Sequence, residues 1–285
     1  EALFRRGWEK DDDPPADPSF VVVDDAPTTS SSTSASSANS PDMCDSNWTG
    51  PNEQKYGVLQ DTFDRVRRAR KQDVNLMFHL GIVNAVEWAS QFAVFCDLKT
   101  QSKRELLKEY SIAFMLVDQG FNTSKQDDDT LWILQHDKVY MCTDYMHGLP
   151  EQDRTHYMAK TKAKIHPDFV LECIQGVGTP MRELQIEEFE CVLLKTLLLF
   201  ECFNVYPADS KSEIASIRQR CLKELTAYEA VKHPHHGIER IGILLLMIGN
   251  IRNCIHVTCR LFYAHDIFSL MRFEPLVADV YLNKE

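Results

Sequence analysis

Signatures of catalysis are missing from this chain of 285 residues: it has no G-x-S-x-G turn, no phosphate-binding loop and no glycine-rich strand-to-helix turn. Those absences count against hydrolases, P-loop enzymes and dinucleotide-dependent enzymes. The lone Gly176-Val177-Gly178 reads as a helix terminator and Asp127–Asp129 as a solvated loop, so the chain is expected not to be an enzyme. Among its nine cysteines, spread from Cys44 to Cys259, no two form a CxxC pair. An odd number of scattered cysteines fits buried free thiols in a reducing compartment better than a disulfide framework. Cys254, His256 and Cys259 look like metal ligands, but at about 100° per residue on a helix Cys254 points away from the other two. His233, His235 and His236 sit in a turn with no cysteine nearby and no HExxH pattern, so no metal site is expected.

Long apolar runs are also lacking. The longest, around Cys191–Phe203 and Ile241–Ile251, are shorter than a bilayer span, and no signal peptide opens the chain. The sequence therefore reads as soluble and intracellular. It begins with Glu1, and we read it as a piece whose upstream part is missing. Positive charge is scarce as well. Residues 1–62 carry twelve acidic and four basic side chains, a net of 4 − 12 = −8; the remainder carries 30 acidic and 27 basic, a net of 27 − 30 = −3. A near-neutral body has no electrostatic footprint for DNA.

What is present divides at residue 62. Residues 1–62 are rich in Asp, Pro, Ser and Thr and bury too little apolar surface to offset the cost of ordering, so they read as a disordered acidic hinge linker. From Phe63 to Glu285 the pattern is helical. Leu76, Leu80, Val83 and Glu87 mark one face of a first helix, which Val86–Phe95 continues; Arg104–Val117 follows, ending in a polar break over Asn122–Thr130. Leu131–Met141 alternates imperfectly and predicts a short β-hairpin. Helices resume at Glu151–Lys164 and Pro167–Gln175, the latter ended by Gly176 and Gly178. Phe189, Val192, Leu193, Thr196, Leu197 and Phe200 then recur at helical spacing. Ser210–Glu229 is amphipathic, with a cap expected at Asp209 or Ser210 and Glu213 in capping-box position. A long helix runs from Ile238 to Tyr263, and a short one covers Pro275–Leu282. The helices near 111–117, 191–203 and 241–251 are apolar on most faces and must be covered on both sides, which asks for three layers. The fold class predicted is all-α: a three-layer antiparallel helical sandwich with one short hairpin.

These elements resemble a known family. Trp88-Ala89, Phe92, Phe95, Leu98 and Leu106-Leu107-Lys108 are similar to the nuclear-receptor signature, roughly W-A-K-x-I-P-x-F-x-x-L-x-x-x-D-Q-x-x-L-L-K. Leu184–Phe200 resembles the family's helix 8, and Arg240-Ile241-Gly242-Ile243-Leu244-Leu245-Leu246 its R-F-G-x-L-L-L segment. Leu276-Val277-Ala278-Asp279-Val280-Tyr281 fits its activation helix. The matches keep family order over 63–285 and look nearest to the divergent nematode, hepatocyte-nuclear-factor-like receptors.

The resemblance implies a nuclear ligand-binding domain in which a helix at 275–283 closes over a groove for coactivator or corepressor helices. It assigns the groove to Lys108, Leu276, Val277, Asp279, Val280 and Tyr281, with Ser90 standing where the family carries a basic residue. Asn122 falls where acid-binding members carry an arginine, which favours a neutral apolar ligand or none. Helix geometry offers Phe114, Met115, Asn250, Cys254, Val257 and Leu261 as pocket candidates, although each of them also reads as plain core. Glu190 and Arg240 would form an ion pair between helices. Homo- or heterodimers would form through the helix starting near Ile238, and zinc and DNA would bind only in an upstream domain. The competing expectation is a ligand-independent dimerisation or corepressor-binding module whose core is filled by side chains.

Overall fold

The computed structural model describes residues 67–134, 139–147, 149, 151–154, 169–201, 205–263 and 273–282. The linker reading of 1–62, the start of the body at Phe63 and most of Glu151–Lys164 lie outside them. The chain order is β1 (Arg67–Arg68), α1 (Lys71–Ala89), α2 (Ala93–Cys96), α3 (Thr100–Ser124), β2 (Leu131–Ile133), β3 (Val139–Cys142), α4 (Glu151–Arg154), α5 (Thr179–Leu184), α6 (Glu188–Leu199), α7 (Lys211–Lys232), α8 (Gly237–Tyr263) and α9 (Pro275–Tyr281). It forms a three-layer helical sandwich. α3 runs through the middle and touches α1 on one side and α8 on the other, while α6 lies beside it and carries α7. The reason is in the sequence of α3: Ser111 through Val117 are all buried, so the helix needs neighbours on every face.

Several local expectations are corrected. Residues 67–68 are strand, not helix, and pair parallel to β3 beside the antiparallel β2–β3 hairpin. Arginine chemistry holds them there. Arg67 grips Asp73 with two bonds of 2.7 Å, and Arg68 donates to Tyr145 O at 2.6 Å and lies over the Tyr145 ring. The first helix does not run on to Phe95. The Ser90 hydroxyl bonds back to Val86 O at 2.7 Å, and Phe92 adopts extended backbone to stack edge-on against Phe200 at 5.0 Å. α3 continues past the predicted break to Ser124, because buried Thr123 accepts the Ile133 N–H at 2.9 Å and so ties the helix end to β2. Ser210 makes no side-chain cap; its backbone is already helical.

Gly176 and Gly178 do not end a helix. The chain passes through them as a π-helical segment, Ile174–Gly178, and on into α5, which stops at Gln185 in left-handed backbone with φ 50°. The glycines are there for close approach: a Cβ on Gly176 would lie 3.0 Å from Cys254 Sγ, and one on Gly178 would lie 3.0 Å from Thr123 Cγ2. Gly120 of α3 is tighter still, with a Cβ placed 2.6 Å from Val177 Cγ1 and 2.8 Å from Met181 Sδ. Both neighbours are fully buried, so Gly120→Ala should overpack this crossing and cost about 1–3 kcal/mol in urea unfolding. An unchanged midpoint would mean that Val177 has room to move.

α8 departs most from expectation. Over Gly237–Arg260 it is long and apolar enough to span a bilayer by length and composition alone, where the sequence suggested a run too short. Nor is it covered all round. Leu244, Met247, Ile251, Cys254 and Ile255 form its buried stripe, whereas Ile238 is 88 % and Leu246 75 % exposed. Its contacts with α3, α6 and α7 make it a wall of the sandwich with one apolar face left open.

Candidate functional site

α9 packs on α1 and α3. Pro275 opens it with the backbone angle a first helical turn needs, and the spacing of Val277, Val280 and Tyr281 puts all three into the core. Tyr281 is anchored in two ways. Its ring meets Phe78 of α1 edge-on at 5.6 Å, and its hydroxyl lies 2.6 Å from Ser111 Oγ of α3. Ser111 spends its single proton on the Leu107 carbonyl, so the Tyr281 hydroxyl is the donor in that pair. Burial pushes the Tyr281 phenol far above its ordinary value, and it stays neutral.

The polar side of α9 is tied down as well. Asp279 Oδ2 lies 3.2 Å from Arg104 Nη2 of α3, and Glu274 Oε2 lies 3.0 Å from His79 Nδ1 of α1. Lys108 is half-buried one turn beyond Arg104, and Leu276 is half-buried on α9. Ser90 is exposed at the C-terminal end of α1 with its hydroxyl committed to Val86 O. A rim of three helices results, carrying Arg104 and Lys108 on α3 and Asp279 on α9. The sequence reading missed Arg104, although its place one turn before Lys108 puts both on one helical face. It also missed Ser111, His79 and Phe78, for which nothing local gave a signal.

The described pocket candidates have different neighbours. Phe114 faces α6, with the Lys195 ammonium 4.0 Å over its ring and Trp88 at 6.2 Å. Met115, one residue on, lies against Gly81 of α1, its Cβ 3.4 Å from where a Gly81 Cβ would stand. Cys254 turns toward the π-helical segment and bonds Glu172 O at 3.4 Å. Asn122 is half-buried at the end of α3 and Val257 half-buried on α8, while the Leu261 side chain lies outside the described residues. Asn250 is a correction: it is exposed, because it falls at the edge of the α8 stripe set by Met247, Ile251 and Cys254. Burial raises the thiols of Cys173, Cys191 and Cys259, the last two to about 12 and about 11, so none of them is a ready nucleophile.

Glu190 and Arg240 meet across α6 and α8. Arg240 Nε and Nη2 reach the two Glu190 oxygens at 2.6 and 2.7 Å, and Glu190 is fully buried. The same guanidinium bonds the Leu184 and Gln185 carbonyls at the end of α5.

A mainly helical three-layer body with one small sheet, a buried ion pair joining two of its helices and a short helix closed on α1 and α3 together make the geometry of a helical sandwich. The family model for the ligand-binding domain of nuclear hormone receptor matches residues 60–268, well over half of the chain. The chain belongs to the family of nuclear hormone receptor ligand-binding domains.

Proposed function

We propose that this domain recruits coregulator helices in the nucleus through the groove bounded by α1, α3 and α9, and that α9 is the element whose position decides binding. The observation carrying this is the placement of α9, with Val277, Val280 and Tyr281 buried while Asp279 stays on the rim. An L-x-x-L-L helix would lay its apolar face into such a groove. Lys108 would meet its C-terminal end and Asp279 its N-terminal end, each complementing the helix dipole. A neutral apolar ligand, bound beneath α9, would set the balance. The open apolar face of α8 around Ile238 and Leu246 would serve a second receptor subunit.

Arg104 modifies this scheme. Its guanidinium already holds Asp279, so a partner helix must compete for that carboxylate, and affinity for simple L-x-x-L-L peptides should be modest. The test is titration of a fluorescent L-x-x-L-L peptide against the whole chain and against a chain ending at residue 273. The intact chain should bind at least about tenfold more tightly, a difference of about 1.4 kcal/mol. Equal binding by both would remove α9 from the groove.

A second reading has its own support. Trp132 is fully buried and fills space beside α3 and the π-helical segment, and the Tyr281–Ser111 bond closes α9 with groups of the chain itself. Both features suit a domain closed without a ligand.

A further inference from the structure

The ends of α6, α7 and α8 meet around one arginine and more acid than it can neutralise. Glu229 of α7 is 0 % exposed, and among the described residues neither of its carboxylate oxygens has a hydrogen-bond partner. The groups paired with it are the Arg240 guanidinium, Nε at 3.5 Å, and the His233 imidazole, Nε2 at 3.8 Å. Arg240 is already engaged, since its fork serves Glu190 and two further donors serve the Leu184 and Gln185 carbonyls. At the N-cap of α6, Glu187 also faces the joint, but it takes the Tyr228 hydroxyl and the Lys232 ammonium, the latter at 3.2 Å. Glu239 and His236 pair with each other in solvent, 3.7 Å apart, and do not reach inward. Three carboxylates thus face two permanent cations, and the two buried ones, Glu190 and Glu229, share the single guanidinium of Arg240.

We propose that Glu190 and Glu229 share one proton at this joint, and that the joint loosens when the proton leaves. A carboxylic acid on Glu229 donates to Glu190 and turns a repulsion into a hydrogen bond, while Arg240 neutralises the pair as a unit. Burial and then Glu190 push the Glu229 carboxyl up to about 7, with Arg240 opposing. A carboxyl raised above its unfolded value stabilises the fold below that value, and the stabilisation is lost as pH rises through about 7. The turn that follows has little slack: a Cβ on Gly237 would stand 2.9 Å from the Glu229 carbonyl oxygen. Ionisation of Glu229 therefore strains the α7–α8 turn, between exposed Val231 and Ile238.

The experiment is a titration of the whole chain carrying glutamate labelled with carbon-13 at the carboxyl carbon. One resonance should titrate near neutrality and be absent from Glu229→Gln, whose amide mimics the protonated acid. Tm of the wild type should fall by about 3 °C between about pH 6 and about pH 8, and that of Glu229→Gln should not share the fall. If every glutamate titrates in the ordinary carboxylate range, or the neutral resonance survives in Glu229→Gln, no shared proton exists there. Should the variant fail to fold, infrared spectra of the wild type decide. A protonated-carboxyl carbonyl band present at about pH 6 and lost by about pH 8 supports the proposal, and its absence at about pH 6 overturns it.

Discussion

Replacing Arg240 with alanine is expected to lower the unfolding free energy by about 3–5 kcal/mol, with a fall in Tm on the order of 10 °C. The size follows from burial. An exposed ion pair is worth about 0–1 kcal/mol, because water solvates both ends nearly as well as they solvate each other. Arg240 is 11 % exposed and its partners Glu190 and Glu229 are fully buried, so its removal leaves negative charge in a place that water does not reach. The loss extends beyond charge, since the guanidinium also caps the Leu184 and Gln185 carbonyls where α5 ends in left-handed backbone. Arg240→Lys should recover only part of the stability, because a point charge does not reproduce the fork. Arg104→Ala serves as the internal control. The pair it breaks is 28 % and 36 % exposed, and its cost should stay below about 1 kcal/mol. Urea unfolding of the three variants separates the cases. If Arg240→Ala lands within about 1 kcal/mol of the wild type, the joint of α6, α7 and α8 is held by its apolar contacts alone.

Much of this architecture was legible because its helices repeat apolar residues at one spacing and its three strands do not. The apolar run of α3 asked for a third layer, and the pattern Leu276-Val277-x-Asp279-Val280-Tyr281 marked a helix with one buried and one polar face. What the sequence hid were contacts between distant residues. Asn122-Thr123-Ser124 looked like a break since nothing nearby discloses that the Thr123 hydroxyl has a backbone donor waiting in β2. Gly176 and Gly178 looked like terminators because glycine ends helices more often than it admits a neighbour, and here Cys254 and Thr123 are the neighbours. Arg104 and Asp279 lie 175 residues apart, and no local rule couples them. α8 misled in the opposite sense: periodicity counts apolar residues, but it does not say which face remains open.

Trp132→Ala is expected to cost about 3–5 kcal/mol, and the route by which that stability is lost bears on the ligand question. Trp132 is the largest fully buried side chain among the described residues, its Cζ3 lies 3.4 Å from where a Gly178 Cβ would stand, and its indole N–H donates to Gln119 Oε1 at 2.7 Å. Truncation opens a hole and strips the buried Gln119 carboxamide of the one hydrogen bond it makes among the described residues, where its nitrogen has no partner. Trp132→Phe isolates the second effect. It keeps most of the volume but not the hydrogen bond, and it should cost about 1–3 kcal/mol. Added indole then reads the cavity directly. A dry apolar hole binds a small aromatic molecule and is stabilised by RT ln(1 + [L]/Kd), so Tm of Trp132→Ala should rise with indole concentration. The wild type distinguishes the two readings of the domain. If its Tm is indifferent to indole, Trp132 already occupies the space a ligand would take, and α9 is closed by the chain itself. If the wild type shifts as well, open volume remains beside Trp132, and the receptor is built to be gated.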